Sequence, residues 1–147
     1  MITQFSLLVP FAFAGLLMAC GDDDHENHGA EPNGDEAATA SGLYETDEGF
    51  VLDLAFDPDP PRTGEVDLHI ELSLDEQPVE EAHIEIEPWM PSHGHGANTV
   101  PQVHEMGDGQ YHVDELTFSM PGHWELAIDI EAREIKSSLL IDLDVEG

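Results

Sequence analysis

From residue 66 to residue 74 the chain reads Val-Asp-Leu-His-Ile-Glu-Leu-Ser-Leu, an unbroken alternation of apolar and polar side chains. A period of two lines up every second side chain on one face of an extended strand; on a helix the same residues would be spread around the axis. The period recurs. Phe50, Leu52, Leu54 and Phe56 alternate with Val51, Asp53 and Ala55; Ala82, Ile84 and Ile86 with Glu81, His83, Glu85 and Glu87; Trp124, Leu126, Ile128 and Ile130 with Glu125, Ala127, Asp129 and Glu131. Each run has one face for a core and one for water, and no helical pattern competes with them after residue 48.

Breaks between the runs are equally plain. Asp57-Pro58-Asp59-Pro60-Pro61 ends the first strand, Asp75-Glu76-Gln77-Pro78 turns the second, and Gly107-Asp108-Gly109 is a hairpin signal. Further strands are expected over Gln102–Met106, Gln110–Ser119 and about Ile135–Val145, with a loop from Pro88 to Pro101. That makes about seven short strands with turn signals at sandwich spacing. The expectation is an all-β, antiparallel β-sandwich over residues 49–147, long enough to bury one core between two sheets. Trp89 and Trp124 are expected to plug that core, and His69 and His83 to lie on solvated faces.

The N-terminal third is different. Leu7–Ala19 is a mostly apolar segment, too short for a comfortable membrane span but of the length of a signal-peptide apolar region. It ends Leu17-Met18-Ala19-Cys20-Gly21, which resembles the lipobox of bacterial lipoproteins, although no Lys or Arg precedes the apolar run. Residues 1–19 are therefore expected to be a lipoprotein signal peptide, with Cys20 the lipidated anchor. Residues 20–48 are expected to be a disordered acidic tether, since they lack the apolar periodicity that would offset the entropy of ordering them. At this length a flexible chain spans roughly 30 Å. His25-Glu26-Asn27-His28 within it is one residue short of a zinc-protease signature and has no helix to carry it. The implied location is exported and lipid-anchored at a bacterial membrane, on its periplasmic or extracellular face.

Charge narrows the partners. The chain has 33 acidic and 3 basic residues, a formal net charge of −30. Nucleic acid is excluded as a partner because phosphate binding needs a cationic surface. Cations and basic partners are favoured. With Cys20 the only cysteine, neither a disulfide within the chain nor thiolate metal chemistry in the folded domain is available.

Candidate ligands cluster between residues 90 and 123: Met90, His93, His95, His104, Met106, His112, Met120 and His123. Thioether sulfur selects Cu(I) and imidazole suits copper and zinc, so His and Met without Cys is a copper-like set. Two hairpin registers are open. A three-residue loop, Gly107-Asp108-Gly109, pairs His104 with His112, Val103 with Val113 and Met106 with Gln110. A two-residue loop, Asp108-Gly109, pairs His104 with Val113 and turns every side chain to the other face. The first register keeps Val103, Tyr111 and Val113 on the core face and sets the two imidazoles side by side for a shared ion. The plainer alternative is a pair of exposed histidines, just as His93 and His95 can be incidental to a glycine-rich loop.

Met90-Pro91-Ser92-His93-Gly94-His95-Gly96, then Pro101, Gly109-Gln110-Tyr111 and Phe118-Ser119-Met120-Pro121-Gly122-His123-Trp124-Glu125-Leu126, resemble the YtkA-like domain family, which is akin to the FixH-like proteins. The resemblance covers about residues 50–145. It implies an immunoglobulin-like sandwich in an exported or membrane-attached protein, and an association with copper handling or cytochrome oxidase assembly. His104-Glu105-Met106 also resembles the His-x-Met pair of periplasmic copper chaperones, without the rest of their methionine spacing.

The expected function is thus a membrane-anchored binding module that binds copper or delivers it to an acceptor protein, with the lipid bilayer engaged through Cys20. The alternative is a structural or protein-interaction sandwich that binds no metal. Catalysis is not expected: Gly-x-Ser-x-Gly elbows, phosphate-cradling loops and a cysteine nucleophile are all missing from the domain.

Overall fold

A computed structural model describes residues 40–147. The expected signal peptide, Cys20 and the His25/His28 pair lie outside the described residues, as does the tether up to residue 39. Twelve strands follow in order. They are β1 (Gly42–Glu45), β2 (Phe50–Asp57), β3 (Gly64–Glu65), β4 (Asp67–Leu74), β5 (Gln77–Pro78), β6 (His83–Met90), β7 (His95–Gly96), β8 (Gln102–Gly107), β9 (Gln110–Asp114), β10 (Thr117–Phe118), β11 (Gly122–Ala132) and β12 (Ile135–Val145). Seven of these have five residues or more, which matches the seven runs expected.

The first sheet runs β1-β2-β4-β9-β8, with β5 attached to β4, and the second runs β12-β11-β6-β7. All strand pairs are antiparallel. Taking β2, β4, β6, β8, β9, β11 and β12 as A, B, C, D, E, F and G gives ABED on one sheet and GFC on the other, the immunoglobulin order. The sheets share one core. Phe50, Leu52, Leu54, Leu68, Ile70, Leu72, Tyr111 and Val113 come from the first sheet; Ile84, Ile86, Trp124, Leu126, Ile128, Ile141 and Leu143 come from the second. These are the inward phases of the alternating runs, so burial follows from the pattern that makes the strands.

Several boundaries differ from expectation. Gly42–Glu45, expected as the end of the tether, is strand β1 paired with Val51–Leu54 of β2. Ala40 is buried, and its N–H donates to Asp59 Oδ1 at 2.8 Å. With four residues and only Tyr44 packed on the core, β1 is too short to show a period. Pro88–Met90, expected as loop, completes β6, where Pro88 lies opposite Leu126. The expected strand Gln110–Ser119 stops at Asp114, because Glu115 has φ +60° and turns the chain toward β10, which pairs with β3. Trp124 is fully buried as expected, whereas Trp89 is 38% exposed. Trp89 falls on the outward phase of β6, between the buried Pro88 and Met90.

The hairpin combines both expected registers. Gly107 pairs with Gln110, leaving a two-residue turn, and Asp108 and Gly109 both have positive φ, +53° and +73°. The register shifts between Glu105 and Gly107, so Met106 is the extra residue of a β-bulge. Beyond the bulge His104 faces His112 and Val103 faces Val113. The bulge thus cancels the one-residue slip that a two-residue turn would have imposed.

Candidate metal centre

The eight expected ligands do not converge on one point. Met90 is 3% exposed and packed in the core, where a Cβ at Gly122 would meet its Cε at 3.0 Å, so it is not a surface ligand. Met120 is part-buried against the same core. His93 and His95 lie at the turn between β6 and β7, their rings 5.8 Å apart. The turn is tight: the His93 and Gly94 amides both donate to Met90 O, at 3.2 and 2.9 Å. His95 Nδ1 lies 2.9 Å from Gly96 O, and its ring meets Trp124 edge-on at 6.3 Å. His123 is exposed on β11, with Nε2 3.2 Å from Asp142 Oδ1 and Nδ1 3.7 Å from Asp144 Oδ1. His123, Glu125 and Asp142 offer ligand atoms within 4.8 Å of one another.

A second group forms on the outer face of the first sheet, where three histidines lie in register across adjacent strands. His112 on β9 is opposite His104 on β8 and also opposite His69 on β4. The His69 and His112 rings are 4.6 Å apart. Asp114, two residues along β9 on the same face, bridges two of the three: its Oδ1 is 2.8 Å from His112 Nε2 and its Oδ2 is 3.2 Å from His104 Nε2. Asp67 Oδ1 stands 4.0 Å from His112 Nε2. Met106, lifted out of the ladder by the bulge, is 68% exposed. Together with His69 and His112 it lines a surface depression of about 560 Å³.

His112 is the central residue of the group. Asp114 binds its Nε2, while its Nδ1 is buried and has no hydrogen-bond partner among the described residues. Buried polar atoms are almost always paired, because leaving one unpaired forfeits its hydration without return. An imidazole held through one ring nitrogen by a carboxylate, with the other left for a ligand, is the usual way a metal-binding histidine is oriented.

A search of protein-family models matches residues 44–129 to the YtkA-like family, more than half of the chain. The chain belongs to that family. No curated protein and no solved structure matches. The matched segment of this YtkA-like chain includes all eight expected ligands together with His69 and Asp114, and it ends before β12. Asp142 and Asp144, the partners of His123, lie beyond it.

Sequence reasoning missed His69 and Asp114. His69 sits on the polar phase of β4 as expected, but β4 pairs with β9, about forty residues away, and no local pattern announces that ladder. Asp114 carried one usable signal, since it shares the face of His112 at i+2 on the same strand.

Proposed function

We propose that this YtkA-like chain is an exported module, anchored through a lipidated Cys20, that binds copper on the outer face of its first sheet. His104, His112 and the exposed thioether of Met106 would hold the ion, with Asp114 orienting the two histidines. The supporting observation is the cross-strand pair His104–His112 with Asp114 between them. The donors fit copper: imidazole nitrogen serves both oxidation states, and thioether sulfur favours Cu(I). What remains of the expected ligand set is the hairpin group; Met90 and Met120 serve the core, and His93, His95 and His123 lie apart from it.

An open sheet face suits a carrier better than a catalyst. The site is reachable by an acceptor protein, whereas a reacting substrate would stay exposed to water there. An acidic surface raises the local concentration of cations and speeds their capture. The test is a titration of the protein with Cu(I), Cu(II) and Zn(II), each against a competing chelator, beside His104→Ala/Met106→Ala and Asp114→Asn variants. Stoichiometric copper binding should be lost in the double variant and weakened roughly 10–100-fold in Asp114→Asn, the usual effect of removing an orienting carboxylate. Weak binding of copper and zinc alike, unchanged in both variants, would refute the site and leave the protein-interaction alternative in its place.

A further inference from the structure

The second sheet ends in an incompletely covered edge. On one side β6 pairs with β11 along residues 83–89, but on the other β7 covers only Trp89 and Met90. One hydrogen bond fixes which groups face outward there: Pro88 O accepts from the Ala97 N–H at 3.3 Å, on the β7 side. Backbone groups alternate sides along a strand, so the N–H and C=O of Ile84 and Ile86 point the same way, out of the sheet. Residues 83, 85 and 87 turn theirs to β11. Proline at 88 suits this phase, since the N–H it lacks would also have pointed to the open side.

The edge opens onto a surface groove of about 670 Å³. β8 forms the opposite wall, with Val103 part-buried, and the exposed Val100 stands just before it. Two crossovers limit the groove at its ends. Residues 81–82 are pinned by Glu81 N–H to Glu105 Oε1 and by Ala82 N–H to the Tyr111 hydroxyl, both at 3.1 Å. Residues 97–101 close the other end as they pass from β7 to β8. The free stretch of β6, five residues at a strand's rise, is roughly 17 Å long.

We propose that this edge of β6 docks an extended, basic segment of a partner protein, which adds a strand to the second sheet. An open edge is a template for pairing with another chain. Charge selects the occupant. Glu85, Glu87, Glu105 and Asp129 line the groove. A second copy of this chain would bring like charges to them. So would the chain's own residues 21–36, which contain seven acidic residues and no basic one. A segment with Lys or Arg on one phase and small apolar residues on the other meets both the carboxylates and Val100, Pro101 and Val103. This inference is independent of the copper site, which lies on the other sheet.

The experiment titrates the protein with a five-residue peptide alternating Lys and Val, the length of the free stretch. The control is the same peptide N-methylated at alternate residues, which keeps every charge and side chain but cannot complete the ladder. Ile84 and Ile86 amide exchange is followed in parallel. The unmodified peptide should bind roughly tenfold tighter, the worth of one or two net hydrogen bonds, and should slow exchange at both amides. A Glu85→Lys/Glu87→Lys variant, altered only at exposed positions, should weaken binding while leaving the unfolding midpoint near that of the parent. Equal binding of the two peptides with unchanged exchange at Ile84 and Ile86 would overturn the proposal and mark the carboxylates as edge protection alone. Protection of both amides in the free protein, together with a dimer by sedimentation, would overturn it in favour of self-pairing.

Discussion

Gly109 sits where the hairpin turn presses on β4 and β5, and its replacement by alanine separates two costs that usually come together. Its O accepts from the Leu72 N–H at 2.8 Å, and Leu72 O in turn accepts from the Val79 N–H at 2.9 Å. A Cβ on Gly109 would stand 2.6 Å from Leu72 O, 2.9 Å from Pro78 Cβ and 3.1 Å from Val79 N. Two of these neighbours are backbone atoms already committed to hydrogen bonds, so neither has room to give. The residue also has φ +73°. Gly107 has φ +93°, but its Cβ would meet nothing within 4 Å. Gly107→Ala should therefore cost only the left-handed strain, about 1–2 kcal/mol. Gly109→Ala should cost that plus overpacking of about 1–3 kcal/mol, a total of about 2–5 kcal/mol. Urea unfolding followed by tryptophan fluorescence measures both, and for a domain of ordinary stability, about 5–15 kcal/mol, the larger loss is a wide shift of the midpoint. Equal losses in the two variants would show that the enclosure of Gly109 has no energetic weight. If the proposed site binds copper, its affinity should follow the same order, because this turn sets the bulge that brings His104 opposite His112.

Two further substitutions probe the core and its polar seam. Trp124→Ala removes a fully buried ring that packs edge-on to Phe118 at 5.3 Å and donates through Nε1 to Met120 O at 3.0 Å. Calorimetry should show a loss of about 3–5 kcal/mol, and a loss below about 1 kcal/mol would contradict the assigned packing. The Tyr111 hydroxyl donates to Val79 O at 2.8 Å and accepts from the Ala82 N–H at 3.1 Å, so Tyr111→Phe leaves both groups unpaired at about 1–3 kcal/mol. Burial holds the Tyr111 hydroxyl above its ordinary pKa of 10.0; the Ala82 amide opposes the shift, and the Glu105, Glu80 and Glu81 carboxylates add to it. The folded state thus favours the neutral phenol. The stability this confers is complete below pH 10 and is lost as pH rises through the folded-state value. The parent should lose stability more steeply than Tyr111→Phe above pH 10 in unfolding midpoints, and parallel curves would remove Tyr111 from the account.

The strand pattern was legible because each long run repeats its period over seven residues or more, and the immunoglobulin order follows once those runs pair. What escaped was short or non-local. β1 has too few residues to show a period, and the exposure of Trp89 depends on its phase, which a tryptophan's size conceals. The hairpin posed a choice between turn and register that the bulge at Met106 dissolves, and a bulge has no signature beyond the glycine that follows it. Legibility of the candidate site divided the same way. His104 and His112 were placed together by a local hairpin, whereas His69 needed a pairing between distant strands. The buried Met90 shows that a motif's residues can be adjacent in sequence and still serve opposite sides of a sheet.

Alternation along the strands converts acidic composition into a charged grid. Asp53 lies opposite Glu71 and Asp57 opposite Asp67 on the first sheet; Glu85 lies opposite Asp129 and Glu125 opposite Asp142 on the second. Such neighbours are about 5 Å apart across strands and about 7 Å apart along them, both inside the screening length of roughly 8 Å at physiological ionic strength. Like charges at that spacing repel and destabilise the sheet, and counter-cations near each face relieve the repulsion. A face charged in this way would act as a small cation exchanger: a divalent ion or basic strand that bound it would displace monovalent counter-ions, and the entropy of their release would favour its uptake.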